Sequence, residues 1–296
     1  MSDAILKVGV PSKGRLSELA GELLSQAGIK YRRQNRGLFA KASGLPVDVV
    51  FLRTDDIPTM CAVGAIDMGI TGSDLVDESA LAFEQHEAVV NRMKLGVGRC
   101  RLAVCVPQQS DFKSAADLDG SVLATSFPKI TEEYLRRHDA AAQDIVSLAG
   151  SVEIMIGLGV AHAIVDLVET GSTLAANQLR ILDEIGTYET VLIQSPKVQP
   201  NSEIASIADR MVRRLEGVVL ARDYSRVEYN VPRDRLAEAE RITPGFNSPT
   251  VNSLEDPKYC AVTVLVPRGD VIDVMERLEN LGASAIFETA ITNCRL

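Results

Sequence analysis

An α/β fold with a small βαββαβ domain at the C-terminal end is the fold class that the sequence predicts. Over the first two-thirds of the 296 residues, short β-branched runs alternate with helical stripes, which is typical of α/β proteins with largely parallel sheets. From about Tyr224 the order changes to strand, helix, strand, strand, helix, strand. The length and the 46% hydrophobic content suffice for two or three separate cores.

The first block opens with a strand at residues 5–10. An apolar stripe at helical spacing then begins at Leu16 and stops before Gly28, which predicts a helix with a glycine end. The other elements predicted in this block are a strand at 47–52, a short helix capped by Asp55 or Asp56 with Pro58 in its first turn, and a strand at 68–70.

A second α/β block follows from about residue 100. The predicted strands lie at 102–106, 122–125, 145–148, 163–168 and 191–193. The predicted helices lie at 129–137, at 151–158, from Leu174 onward and at 204–220. We expect one lobe at 1–99 and 190–220 and a second at 100–189, with a ligand in the cleft between them.

The C-terminal segment, 221–296, predicts a separate domain of ferredoxin-like order. Its predicted strands lie at 224–231, 250–254, 261–266 and 285–291, and its helices at 233–240 and 271–281. A split βαββαβ unit after a complete α/β body suggests a regulatory domain, and a plain oligomerisation domain is the alternative.

Charge and cysteine content narrow the class of function. The net charge of −9 argues against broad nucleic-acid binding, yet residues 1–53 carry nine basic and four acidic side chains, as suits a small polyanionic ligand. Five dispersed cysteines indicate neither a disulfide framework nor a zinc site. Without a membrane-length apolar run or a signal peptide, we expect a cytoplasmic protein.

Residues 163–174, AIVDLVETGSTL, have the pattern of an anion-binding turn. An apolar strand runs into Asp166 and Glu169, and a tight glycine turn then leads into a helix. Backbone N–H groups at such a turn converge on a phosphate, and nearby hydroxyls add donors. Asp166 or Glu169 could accept hydrogen bonds from a ribose diol, or share a Mg²⁺ ion with the phosphate. The alternative is an ordinary helix capped by Ser172 or Thr173.

Two further glycine turns follow predicted strands. Residues 11–16, PSKGRL, bring Lys13 and Arg15 to the end of the first strand, and residues 69–74, GITGSD, do the same with Thr71. Either could be a simple connection, but three such turns with a basic N-terminal segment favour a site for phosphorylated substrates.

These motifs resemble those of ATP phosphoribosyltransferase, the first enzyme of histidine biosynthesis. The resemblance rests on PSKGRL, FLRTDDIP, DMGITGSDLV, GSVE with GLGVAHAIVDLVETGSTLAAN, and the C-terminal ITPGFNSPTV and LGASAIFETAITNCRL. It runs from about residue 5 to the last residue. It therefore implies the long, histidine-regulated form, with two periplasmic-binding-protein-like lobes and a C-terminal domain of the ACT type.

The resemblance also implies roles for individual residues. Positions for phosphoribosyl pyrophosphate (PRPP) would be Asp166, Glu169, Thr170, Gly171, Ser172, Thr173 and Leu174. Positions for ATP would be Lys13, Gly14, Arg15, Leu16, Thr71 and Gly72. Those expected to act in catalysis are Lys13, Arg15, Arg53, Glu153, Asp166 and Glu169. Because N1 of adenine has a free lone pair, the reaction needs no nucleophilic side chain, and His86, His138 and His162 form no catalytic pattern.

Histidine would inhibit at the C-terminal domain, Mg²⁺ would be required, and the chain would form a homo-hexamer built from dimers. The residues implied for the histidine pocket are Asn230, Phe246, Ser248, Thr250 and Ala285. The family often has an aspartate at position 230. An amide attracts an α-amino group less than a carboxylate does, so the sequence leaves the strength of histidine inhibition open.

Two other functions fit parts of the pattern. A solute-binding or effector-sensing protein would also use a two-lobed cleft, but it would carry a secretion signal or a DNA-binding helix. A nucleobase phosphoribosyltransferase would also use the T-G-x-T turn, but it would leave the C-terminal domain unexplained.

Overall fold

The structure is a computed structural model that describes residues 4–34, 37–82, 88–169 and 171–295. These residues form two compact units, one within 1–22 and 30–209 and the other within 23–29 and 210–296. The larger unit contains two sheets and the smaller unit contains one.

Strands and helices are numbered here in chain order. The strands are β1 (Leu6–Pro11), β2 (Lys30–Tyr31), β3 (Phe39–Ser43), β4 (Val47–Leu52), β5 (Met68–Gly72), β6 (Val90–Lys94), β7 (Cys100–Pro107), β8 (Val122–Thr125), β9 (Asp144–Ser147), β10 (Ala163–Val168), β11 (Leu179–Tyr188), β12 (Thr190–Gln194), β13 (Tyr224–Pro232), β14 (Thr250–Ser253), β15 (Tyr259–Pro267) and β16 (Ser284–Ala290). The helices are α1 (Arg15–Gln26), α2 (Asp56–Ala62), α3 (Ser73–Ala82), α4 (Pro128–Arg137), α5 (Ile154–Gly157), α6 (Ser172–Ala176), α7 (Glu203–Asp223), α8 (Leu236–Ile242) and α9 (Val271–Asn280).

The first sheet has the strand order β2-β3-β4-β1-β5-β12-β6. Its central strands, β4, β1 and β5, run parallel, and their side chains are almost all buried, as expected for strands that are covered on both faces. The outer pairs are antiparallel. In this sheet the expectation of largely parallel strands therefore holds only for the centre, because β3 turns back directly into β4 on one side and β12 returns from the second sheet on the other.

The second sheet has the order β11-β7-β10-β8-β9. β10 runs parallel to β8 and antiparallel to β7, and apolar clusters cover both faces of the sheet. Leu102, Val104 and Val165 belong to one cluster, and Ala103, Cys105 and Ile164 belong to the other. Asp166 lies in the second half of β10, and Glu169 follows its last residue, so both carboxylates are near the carboxyl end of the strand.

The two lobes that the resemblance implied are these two sheets with their helices, and the predicted α/β class is confirmed. The sequence analysis missed strands β2, β3, β6 and β11 and helix α3, and the longest of these strands is β11. The sequence predicts a helix from Leu174 onward and no strand before residue 191, but α6 ends at Ala176 and β11 then runs for ten residues. The helix predicted at 151–158 is also shorter, since α5 covers only Ile154–Gly157.

The smaller unit has an antiparallel sheet of order β14-β15-β13-β16, with α8 and α9 contributing to its core. The element order along the chain is βαββαβ, as predicted. Val227, Tyr229 and Val231 alternate along β13 toward the core, and the Tyr229 hydroxyl lies 2.7 Å from the Thr243 hydroxyl oxygen. Pairing of its only buried polar atom lets this tyrosine fill the core.

Candidate active site

A cavity of about 450 Å³ lies at the carboxyl end of β10 and is called the β10 cavity below. Gly171 comes just before α6 with a φ of 77°, a left-handed conformation that glycine adopts without strain. The predicted residues that line the cavity are Glu153, Asp166, Glu169, Gly171, Ser172, Thr173 and Leu174. Thr170 lies outside the described residues. The structure thus brings the described part of the predicted PRPP set together around one space.

The carboxylates of the β10 cavity are close enough to interact. Burial raises the pKa of Asp166, and the nearby charge of Glu153 raises it further, although the Leu167 N–H, 2.8 Å from Asp166 Oδ1, opposes this. A carboxylate in such surroundings favours a hydroxyl donor or a cation as its partner. A sugar diol and a divalent cation both meet that requirement.

The turn after β1 contacts the end of β10. Arg15 Nη1 lies 2.5 Å from Glu169 Oε2, so an ion pair joins the first lobe to the second. Both side chains remain open to solvent, at 69% and 49% exposure. Gly14 has a φ of 79° and Lys13 is exposed beside it. The β1–α1 turn therefore presents two cations at the carboxyl end of β1.

A second cavity, of about 320 Å³, lies between the lobes and is called the cleft cavity below. Among the predicted site residues it is lined by Arg15, Leu16, Gly72 and Glu169. Leu167 and Glu169 border both cavities, so the two spaces adjoin at the end of β10. Lining residues that the sequence analysis did not single out as site residues are Leu19, Thr54, Asp55, Asp74, Leu75, Gly98, Cys100, Phe127, Leu167, Glu189 and Thr190.

Some of the predicted site residues support the cavity walls without facing the space, and others lie outside both cavities. Thr71 is fully buried, and its hydroxyl donates to the carbonyl of Thr54 at 3.2 Å, so it supports a cavity wall instead of facing the space. A Cβ on Gly72 would lie 2.0 Å from Asp74 Oδ1, so a larger residue at position 72 would displace the buried Asp74 carboxylate. Lys13 and Arg53 are exposed, and the residues lining the two cavities do not include them.

Asp74 and Cys100 are the most notable of the missed residues. Asp74 is 5% exposed, and burial raises the pKa of its carboxyl, with smaller contributions from nearby acidic groups. Burial, together with the charges of Asp74 and Glu169, raises the pKa of Cys100 to about 11. Cys100 therefore remains a neutral thiol near pH 7 and is no nucleophile. The sequence did not indicate that Cys100 borders the cleft cavity, because Cys100 begins β7 and the following residues of that strand lie in the core of the lobe.

The residues predicted for histidine do not share one cavity within a single chain. Phe246 lines a space of about 570 Å³ beside α9, and Ala285, with a φ of 49°, lines a different space of about 340 Å³. Asn230 pairs with Ser284 across β13 and β16, while Thr250 is exposed on β14. Ser248 is exposed and its hydroxyl donates to the carbonyl of Pro249.

Within the described ranges, no group of three or more His, Cys, Asp or Glu side chains is arranged to hold a metal ion. A search of the same ranges finds no helix with the length and apolar character that a membrane crossing requires.

Comparison with known proteins identifies the family. The profile described as ATP phosphoribosyltransferase matches residues 53–217, and that described as the C-terminal domain of HisG matches 221–293. An ATP phosphoribosyltransferase from Rhodopirellula baltica is 66% identical over 99% of this chain and 95% of its own. One from Saccharopolyspora erythraea is 39% identical over 99% of this chain and all of its own.

Among solved structures, the chain is similar to one from the ATP phosphoribosyl transferase (HisG:HisZ) complex of Thermotoga maritima. The TM-score is 0.60 at 25% identity, covering 72% of this chain and 99% of that one. By its fold and its cleft, the protein is a two-lobed α/β transferase with an added βαββαβ domain. It belongs to the ATP phosphoribosyltransferase family of histidine biosynthesis, in the long form that carries this domain.

Proposed function

We propose that the two adjoining cavities bind the two substrates of one transfer reaction. N1 of the adenine of ATP attacks C1 of the ribose of PRPP, the bond from C1 to the pyrophosphate breaks, and pyrophosphate leaves with the bonding electrons. The observation that carries this proposal is the shared border of the cavities at Leu167 and Glu169, with Arg15 reaching Glu169 from the other lobe.

The β10 cavity suits PRPP. Backbone N–H groups beside Gly171 and the hydroxyls of Ser172 and Thr173 supply hydrogen-bond donors for the 5′-phosphate. Asp166 accepts from the ribose hydroxyls, which relieves the repulsion that Glu153 exerts on it.

The cleft cavity suits the adenine of ATP. Leu75, Phe127 and Leu167 provide apolar surface for a planar base, and Arg15 stands at the border where phosphates of both substrates would meet. Because N1 attacks through its own lone pair, catalysis needs alignment of the two substrates more than proton transfer. Alignment can contribute about 7–11 kcal/mol, and cations around the leaving pyrophosphate add electrostatic stabilisation.

A Mg²⁺ ion fits this arrangement only together with substrate. Mg²⁺ is commonly bound by one or two carboxylates plus substrate phosphates, and Asp166 and Glu153 are carboxylates close enough to influence each other. These two residues would hold the ion, which would supply positive charge beside the pyrophosphate.

We further propose that histidine inhibits the enzyme through the C-terminal domain, and that the chain acts in the cytoplasm as a homo-hexamer built from dimers. The full-length similarity to long-form relatives supports this. The separation of Phe246 from Ala285 in one chain suggests that a complete histidine pocket needs a second copy of the domain.

The test is to mix the protein with ATP, PRPP and Mg²⁺ and to follow the ultraviolet absorbance change on N1-alkylation of adenine. We expect a signal that requires both substrates, that is absent with free nucleobases in place of ATP, and that falls when histidine is added. Turnover of free bases would instead indicate a nucleobase phosphoribosyltransferase. Activity without inhibition would leave the transfer reaction standing and reject the histidine site.

A further inference from the structure

One carboxylate, that of Glu78, joins helices from the two lobes. Glu78 lies on α3, which follows β5 of the first sheet. Its Oε1 accepts the N–H of Lys129 at 2.9 Å, and its Oε2 accepts the N–H of Ile130 at 2.9 Å. Both N–H groups belong to the first turn of α4, which follows β8 of the second sheet. Glu78 therefore binds α4 across the cleft within the larger unit.

This contact supplies α4 with a cap that its own sequence lacks. The first N–H groups of a helix have no partners inside the helix, and an anion there is favoured by the helix dipole. The residue before α4, Phe127, makes no side-chain capping bond. Two charge-assisted hydrogen bonds to a half-buried carboxylate stabilise the contact between α3 and α4 more than an exposed ion pair would.

The contact lies directly behind the walls of the cleft cavity. Asp74 and Leu75, in the first turn of α3, line one side of that cavity, and Phe127 lines the other. Asp74 is four residues before Glu78 and so lies on the same face of α3. Phe127 is two residues before Lys129. The position of α4 on α3 thus sets the distance between the two walls.

We propose that Glu78 is a positioning residue for the transfer reaction. It holds α4 against α3 and so fixes the width of the cavity that receives adenine, without contacting either substrate. The inference rests on the proposed function for its kinetic part, and a fluorescence measurement tests it independently of activity.

The variants are Glu78→Gln and Glu78→Asp, with Glu132→Gln as the matched control. Glutamine keeps the length of the side chain but turns an NH₂ group toward one helix N–H, and aspartate withdraws the carboxylate. Glu132 lies on α4, and its Oε2 accepts a hydrogen bond from the Lys129 side chain at 2.8 Å. E132Q removes one negative charge from α4 and leaves both hydrogen bonds from α4 to Glu78 in place.

We expect E78Q to raise KM for ATP by at least about fivefold. E78D should lie between E78Q and wild type, and E132Q should match wild type. If Glu78 had only a structural role, the active fraction would fall, which lowers kcat and leaves KM unchanged. That result would overturn the proposal.

The sequence has no tryptophan, so Phe127→Trp provides a single reporter at the cavity wall. Phe127 is 4% exposed, and its replacement should emit as a buried indole. Adding E78Q should shift the emission to longer wavelength and increase acrylamide quenching, whereas adding E132Q should do neither. If F127W/E78Q shows the same emission and quenching as F127W alone, the inference is rejected.

If the wild type fails to turn over ATP, the proposed function is wrong, and the fluorescence comparison still decides the role of Glu78. If E78Q does not fold, E78D decides the question with the same two measurements. A wild-type KM in E78D, together with quenching in F127W/E78D equal to that of F127W alone, would then overturn the proposal.

Discussion

Replacing Arg15 by alanine should change the stability of the protein little and lower its catalytic activity strongly. The Arg15–Glu169 ion pair is 2.5 Å long but exposed on both sides, at 69% and 49%. Exposed pairs of this kind contribute about 0.2–1 kcal/mol to folding, because solvent screens them and two long side chains must be ordered. We therefore expect R15A to change the free energy of unfolding by less than about 1 kcal/mol.

The effect on catalysis should be larger. In the transition state the departing pyrophosphate gains negative charge at the border of the two cavities, where Arg15 lies. A hydrogen bond to a charged group contributes about 1.5–3 kcal/mol. Since about 1.4 kcal/mol corresponds to a factor of ten in rate, R15A should lower kcat/KM at least tenfold.

The assay is steady-state kinetics with ATP and PRPP, beside urea unfolding of the same samples. Arg136→Ala is the matched control, since Arg136 forms an exposed pair with Glu133 on α4, at 2.8 Å, and lines neither of the two cavities. It should retain wild-type kinetics. If R15A also keeps wild-type kinetics, Arg15 does not act on the substrates. If R15A unfolds, the assignment of the ion pair as weak is wrong.

Two further predictions concern other parts of the chain. Replacing a helical glycine by alanine normally stabilises a protein by about 1 kcal/mol. At Gly217 in α7, however, the new Cβ would lie 2.7 Å from the Cys294 carbonyl oxygen, so we expect G217A to lower the free energy of unfolding in urea by about 1–3 kcal/mol. Gly157→Ala is the control, because a Cβ there meets open space, and it should show no such loss. Asp166→Asn tests the raised pKa of Asp166. The carboxyl group of Asp166 keeps its proton to higher pH in the folded state than in the unfolded state. It therefore stabilises the fold at pH values below its ordinary pKa, and this contribution is lost as the pH rises through its pKa in the folded state. The free energy of unfolding of wild type relative to D166N should therefore fall as pH increases, and parallel curves for the two proteins would contradict the assignment.

Elements with a strong local pattern could be predicted from the sequence. β4, β8 and β10 begin and end at the predicted residues, because each is a mainly apolar run rich in valine, isoleucine or leucine, with a proline or polar residues just outside it. β11 could not be found in this way. Its pairing with β7 shifts register twice, between Ile181 and Asp183 and between Glu184 and Gly186, which breaks the alternation that marks a strand.

The sequence by itself determined the family, the order of the elements and most of the β10 cavity, because residues 163–174 are contiguous and their turn chemistry is local. Only the tertiary structure decided what meets across the cleft. Arg15 with Glu169, and Glu78 with the first turn of α4, are pairs separated by 154 residues and by about 50 residues along the chain. Such pairs follow from how two sheets pack, and no local pattern of residues encodes that packing.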